Sequence, residues 1–481
     1  MVRLLAIVTA IALSGCSGST QVRSAAGPGA AGPGAGFLTQ GAPQARSLRD
    51  GFRVTPILTA GDTLYSNDPQ GLPFIFAGRA GGLGARDLRN GTAEVCVSHY
   101  DGWLEGQEGA MVSRLVLDLR NAGVYTADYL LRPGGYEAFA HASLLDSRAG
   151  FSRPQFVVNE RTYTRHWPLV AAIDLLGERV QNLPWLGAVR HKSTIALPST
   201  GGKAILVMAG GSLNQNGDQL YLYIANSDTD LLAGSGQLYV FRADPTVVPK
   251  ESRFASRLRK GDPVAGSFIP IEASRAQSPQ YLEPLVQSLG SLNFVRLECL
   301  AVDRERINAF YFTDRFGFGS TSTLQISSGG GRLYHMTLDA FDPTRVEAIE
   351  VVLDATEGDD LFRPTSIDTD EHCVMIQEFP SSRGVHPSRI LRYDVRARRV
   401  EAVAECAERD TRGRPAPTGV GGEWESSGIT NVSDLFGEDA WLFTVQAHTL
   451  QSPQNSSRYG EAGQLLLLRG PRNPQTSAPR Q

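Results

Sequence analysis

A short apolar strand recurs along this chain, and no other feature of the sequence limits the fold as strongly. It stands at residues 114–118, 219–223, 237–241, 332–339 and 389–394, in runs such as Gln219-Leu220-Tyr221-Leu222-Tyr223. A partner strand comes before it at 93–100, 203–210, 309–314 and 373–378, and further strands follow at 345–353 and 399–405. Loops rich in Gly, Ser or Asn join the partners, and no helical period separates them. A repeating unit of strands favours radial repetition, a β-propeller, over a sandwich of unrelated strands. Helical signals are confined to two apolar runs, 169–176 and 281–289, expected as short helical insertions packed on the sheets. The fold class expected is therefore all-β, a propeller with short helical insertions.

With 481 residues the chain can form one large all-β domain or two ordinary ones. Its 41% hydrophobic and 20% charged residues, with a net charge of −4, exclude a disordered chain and a nucleic-acid binder. At the N-terminus Arg3 precedes an apolar run over 4–13, too short to cross a bilayer and read as the core of a secretory signal. Leu13-Ser14-Gly15-Cys16 resembles a bacterial lipobox, which implies a signal peptide over 1–15 and diacylglycerol and fatty-acyl chains on Cys16. Ser17, where that class would use aspartate for retention, implies an outer-membrane location within the cell envelope. Residues 16–46, dominated by Gly, Ala and Pro, are expected as a tether, 47–470 as the propeller and 471–481 as a disordered tail. The remaining cysteines, Cys96, Cys299, Cys373 and Cys406, show no zinc or disulfide spacing and are expected as small buried residues. Gly-Lys-Ser phosphate loops, Gly-x-Ser-x-Gly elbows and His-Glu-x-x-His helices are absent from the sequence.

Near the C-terminus the chain reads Glu423-Trp424-Glu425-Ser426-Ser427-Gly428, and then Val445-Gln446-Ala447-His448. Glu423 and Glu425 share one face of an extended strand, and the glycine permits a tight backbone that aims carboxylates at a common point. Such an arrangement suits a hard cation bound by oxygen. This stretch resembles the closing segment of the PhoX-like bacterial alkaline phosphatases. Arg296-Leu297-Glu298-Cys299-Leu300-Ala301-Val302-Asp303 resembles that family's Arg-Pro-Glu-Asp-Gly run with an aspartate after it, and Met375-Ile376-Gln377-Glu378 a strand of the family that ends in glutamate. The resemblance implies six blades, with the two ends of the chain meeting in one sheet. It implies Arg296 and Glu298 as catalytic residues, Arg296 clamping phosphate oxygens, and a metal site drawn from Glu298, Asp303, Glu378, Glu423 and Glu425.

Several family positions are changed. Ser98-His99-Tyr100 stands where the family has Asn-His-Glu, and His191-Lys192 where it has His-Glu. Ala209-Gly210-Gly211-Ser212 stands where further acids are expected and Thr365-Ser366 where the family has an Asp-Asn pair, and residues 97–298 contain no cysteine to bridge two irons. A di-iron centre therefore lacks its bridge and ligands, whereas calcium, which accepts carbonyls and water, tolerates the changes better. Arg190, His191 and Lys192 add positive charge and are candidates for binding an anion. Two functions follow as expectations: a calcium-dependent phosphoester hydrolase, or a catalytically degenerate propeller that binds an anionic ligand or an envelope partner. Either is expected as a monomer held at a membrane through Cys16, with no nucleic-acid partner.

Overall fold

Leu, Tyr, Phe and β-branched residues fill both faces of the repeated strands, so each sheet needs a neighbour on either side. In the run 220–223, Leu220 and Leu222 enter one core while Tyr221 and Tyr223 enter another, each at most 1% exposed. Burying a side chain of this size contributes roughly 1.5–3 kcal/mol. The structure is a computed structural model that describes residues 36–64, 66, 72–104, 107–161, 167–198, 201–211, 217–248, 255–315, 330–380, 386–409, 414, 422–451 and 461–471.

The chain enters through β1 (Ala45–Ser47) and β2 (Arg53–Thr59), followed by a small hairpin of β3 (Thr63–Leu64) and β4 (Phe74–Ile75). A four-stranded antiparallel sheet follows: β5 (Ala80–Asp87), β6 (Thr92–Leu104), β7 (Gln107–Asp118) and β8 (Val124–Leu131). The next comprises β9 (Phe139–Leu145), β10 (Gln155–Glu160), β11 (Val170–Asp174) and β12 (Arg179–Asn182). A nine-stranded sheet comes third. Its first part is β13 (Arg190–Leu197), β14 (Ala204–Gly211), β15 (Asp218–Ala225), β16 (Gly236–Ala243) and β17 (Val264–Pro270). Its second is β18 (Leu297–Val302), β19 (Ala309–Arg315), β20 (Gly331–Leu338) and β21 (Arg345–Asp354), joined to the first where β17 pairs with β21. Then come β22 (Pro364–Thr369), β23 (Cys373–Glu378), β24 (Arg389–Asp394) and β25 (Arg399–Cys406), with β1 added at the outer edge. Last are β26 (Glu425–Asn431), β27 (Ala440–Gln451) and β28 (Glu461–Arg469), and β2 pairs with β28. The two ends of the chain thus meet in one sheet.

The first strands of the successive units line a common axis. β5 packs on β9, β9 on β13, β13 on β18, β18 on β22, β22 on β26, and β26 returns to β5. The arrangement is that of a propeller. The expected strands are present, and the expected helix at 281–289 is α3 of four short α-helices among the described residues, α1 (Asp228–Leu232), α2 (Ala273–Ala276), α3 (Pro279–Ser288) and α4 (Ser433–Phe436). The run 169–176 is not a helix; it contains β11. Val170 and Ala172 enter one core and Ala171 and Ile173 the next. Burial on both faces makes the run uniformly apolar, which hides the strand period. All four described cysteines are buried, as expected, and all four are free. Cys16 lies outside the described residues.

Candidate functional site

Each axial strand carries a β-bulge near its N-terminal end. The register shifts between Ala80 and Leu83 in β5, His191 and Ser193 in β13, Leu297 and Leu300 in β18, Pro364 and Ile367 in β22, and Ser427 and Ile429 in β26. In β9 it falls between Phe139 and Ala142, opposite Glu160 and Val158 of β10. A bulge puts two residues of one strand opposite one of the other, so neighbouring side chains no longer alternate strictly between faces. At this level the structure gathers charged side chains around one mouth of the axis.

Glu298 is the centre of that group. Its Oε1 accepts hydrogen bonds from Arg296 Nε at 2.8 Å and pairs with Arg315 Nη2 at 2.8 Å. Burial alone would raise Glu298, but Arg315, Lys192, Arg161 and Arg296 outweigh it and hold the carboxyl well below the usual range. Lys192 is buried and pairs through Nζ with Asp218 at 2.7 Å. Arg315 is 2% exposed, and its Nε and Nη1 have no hydrogen-bond partner among the described residues. Burial, with Arg296 and Arg161 nearby, pulls its guanidinium down to about 10, while Glu298 and Glu425 act in the opposite sense. The guanidinium lies 3.8 Å from the centre of the Phe379 ring, and that of Arg363 lies 4.7 Å from it. Arg363 has a φ of 45°, a left-handed backbone that a non-glycine residue adopts only at a cost. It too is lowered, by burial first and then by Arg296.

Glu425 sits on the rim, 3.8 Å from His448 Nε2, and His448 Nδ1 lies 2.7 Å from Glu461. Burial would lower His448, but its two carboxylate partners push it up to about 9. Around the mouth, Arg161, Lys192, Arg296, Arg315 and Arg363 face Asp218, Glu298 and Glu425. Positive charge is in excess there, and Glu425 already serves a histidinium.

The remaining expected site residues are dispersed. Asp303 follows the far end of β18, five residues from Glu298, which in an extended strand is roughly 16 Å. It accepts from His335 Nε2 at 2.9 Å and from the backbone of Glu305 at 2.9 Å, closing a turn. Glu378 is fully buried at the same end as Glu298, but Arg389 grips both its oxygens at 2.8 Å and Phe362 N–H donates to it. Glu423 is exposed ahead of β26. His191 is 1% exposed, with Nε2 2.8 Å from the Gly187 carbonyl and the ring lowered to about 4 by burial, so it is neutral and faces away from anion chemistry. Arg190 is half-buried and already engaged, which leaves Lys192 of that trio in the charged group. Arg161, Arg315 and Arg363 were not singled out in the sequence. Two of them follow an acid at the end of a second strand, in Glu160-Arg161 and Asp314-Arg315, and that recurrence is the available signal.

These donors do not fit the metal site that the resemblance implied. Among the described residues no group of three or more His, Cys, Asp or Glu side chains could hold a metal ion. The chemistry agrees, since guanidinium groups occupy Oε1 of Glu298 and both carboxylate oxygens of Glu378 that a cation would need.

No protein-family model matches the chain, and no curated protein matches its sequence. Among solved structures, Pseudomonas fluorescens PhoX in complex with vanadate, a transition state analogue, is similar with a TM-score of 0.62 at 11% identity, over 91% of this chain and 98% of that one. The Trypanosoma rangeli sialidase bound to 2,3-difluorosialic acid scores 0.44 at 8% identity, over 88% and 59% of the two chains. The β-propeller domain of the trilobed protease from Pyrococcus furiosus scores 0.34 at 7% identity, over 78% and 93%. The first of these likenesses supports a PhoX-like propeller fold for this chain.

Proposed function

We propose that this protein is a PhoX-like propeller that binds a small, multiply charged oxyanion, of the phosphate-ester class, in an arginine-lined mouth and does so without a metal. The observation that carries the reading is Arg315, a buried guanidinium with two N–H-bearing nitrogens unbonded among the described residues and other cations beside it. An unsatisfied buried donor costs about 1–3 kcal/mol, and more when charged, so a bound anion would relieve both the lost hydrogen bonds and the like-charge repulsion. Arginine also presents the planar fork that matches phosphate oxygens. Arg296, more exposed than Arg315, would receive the ligand first, and Phe379 would keep the Arg315 and Arg363 planes in place. In finer detail, the nine-stranded sheet is best read as two blades joined through β17, which makes the propeller six-bladed. The hydrophobic clusters between neighbouring sheets support that count.

Calorimetric titration of the purified protein with phosphate and p-nitrophenyl phosphate tests this. Binding should weaken roughly tenfold or more in Arg315→Met, which keeps the stacking length and removes the charge. Binding should also fall as salt rises. Equal affinity in the variant would remove the assignment. Product release from p-nitrophenyl phosphate that depends on added calcium would instead support the hydrolase reading.

A further inference from the structure

Past the level of the bulges the axis opens into a cavity of about 400 Å³. Ile307, 59% exposed, stands at its outer end, so this end meets solvent on the side opposite the arginine mouth. Every axial strand gives the cavity an aliphatic side chain: Leu83 of β5, Leu144 of β9, Ile195 of β13, Leu300 of β18, Ile367 of β22 and Ile429 of β26. Each lies at the end of its strand's register shift or two residues beyond it, so the bulges mark the boundary between a charged mouth and an aliphatic channel. The polar atoms at the inner end are engaged with their neighbours. Ser366 Oγ accepts the Gly428 N–H at 3.0 Å and lies 3.3 Å from His141 Nδ1, and Ser193 Oγ accepts the Leu300 N–H at 3.1 Å.

The outer end carries the opposite charge to the arginine mouth. Five carboxylates line it, Asp146, Asp303, Asp368, Glu371 and Asp434, against two guanidinium groups, Arg148 and Arg304. Arg148 Nη2 lies 2.8 Å from Asp146, and Arg304 Nη2 lies 3.8 Å from Asp368. His335, 2.9 Å from Asp303, adds at most one more positive charge. The rim is therefore net negative, and Glu371 and Asp434 are exposed on it.

We propose that this channel is a second binding site, independent of the oxyanion site, and that its ligand is a small organic cation with an aliphatic body, of the alkylammonium class. The aliphatic chain fills the channel, and the ammonium group stays at the rim among the carboxylates, where water still reaches it and the cost of burying a charge is avoided. A concave, largely aliphatic cavity of this volume takes a small molecule. Burial of methylenes supplies the affinity, and the charge of the rim favours a cation over an anion of the same length. From His141 to Asp146 the lining runs roughly 16 Å along β9 and just past its end, deep enough for an octyl chain.

The test is calorimetric titration of the full chain with n-octylammonium chloride below its micelle concentration. Saturable binding is expected, and n-butylammonium should bind at least roughly tenfold more weakly because it lacks half of the methylenes. Octanoate, equal in length and opposite in charge, should also bind at least roughly tenfold more weakly. Glu371→Gln combined with Asp434→Asn changes only exposed side chains and should weaken octylammonium roughly threefold or more. Phosphate should not displace it, since the arginine mouth lies at the other end of the axis. Absence of saturable binding, octanoate bound as tightly as octylammonium, or undiminished affinity in the double variant would overturn the proposal.

Discussion

His99 shows how a residue of a metal-site motif can become structural. Its ring is fully buried, with Nδ1 3.1 Å from the Gly78 carbonyl and Nε2 2.8 Å from Ser113 Oγ, so Nδ1–H donates and Nε2 accepts. Burial lowers it from 6.5 to about 4. Its folded form resists protonation while the unfolded chain takes up a proton below its ordinary value, so stability falls as pH drops from about 6.5 to about 4. The full effect is on the order of 3 kcal/mol. Urea midpoints at neutral and acidic pH should therefore decline less in His99→Gln than in the unmutated protein, and parallel declines would refute it. His191, also lowered to about 4, adds a second contribution in the same window that the variant leaves in place. At this scale the sequence offered Arg296 and Glu298 as catalytic residues, Glu298 also as a metal ligand, and Lys192 as an anion-binding candidate; the structure places the three in one charged group. It could not identify Arg161, Arg315 and Arg363, because a single arginine at a strand end has no motif and topology alone brings the three together. Nor could it show that Asp303 and Glu378 had acquired partners, His335 two strands along the sheet and Arg389 on the next strand.

The elements explain why the Ser-Ser-Gly turn matters even though it holds no described metal group. Gly428 has a φ of 62°, and a Cβ on it would stand 1.7 Å from the Gly81 carbonyl oxygen of β5. Its own N–H binds Ser366 Oγ on β22, so one glycine lets β26 meet both axial neighbours. Gly428→Ala must strain the backbone and displace β5, at a cost of about 2–4 kcal/mol. Thermal unfolding of this variant should shift down by several degrees, with the site level of β26 the first to lose amide protection. A variant as stable as the parent would show that the close approach is not required. The strands themselves were legible, since short apolar runs recur with loops of Gly, Ser or Asn between them. The bulges were not, because a single extra residue leaves the hydrophobic pattern almost unchanged while it redirects side chains. Residues 169–176 failed for a related reason: a strand buried on both faces carries no alternation at all.

At the scale of the whole molecule, closure depends on a strand far from the sheet that it completes. β2 pairs with β28 across some 400 positions of sequence, and Ile57 and Leu58 are fully buried against Leu465 and Leu467 in the core beneath it. Gln464 ties the same junction, donating to Thr59 Oγ1 at 2.9 Å and accepting from Gln44 N–H at 2.7 Å. Such a ring cannot close until both ends of the chain are present, and this long-range pairing is a slow step to form. A chain that starts after Thr59 would leave β28 as an unpaired edge with its apolar face uncovered, which is a template for pairing with other chains. Size-exclusion chromatography should then show oligomers or aggregate in place of a monomer peak, and adding the 36–59 segment as a separate peptide should recover monomer. Recovery would mean that the segment acts through its edge pairing, as the register indicates. A shortened chain that stays monomeric and unfolds at the parent's temperature would mean that the ring is held by contacts between the axial strands, and that β2 only decorates it.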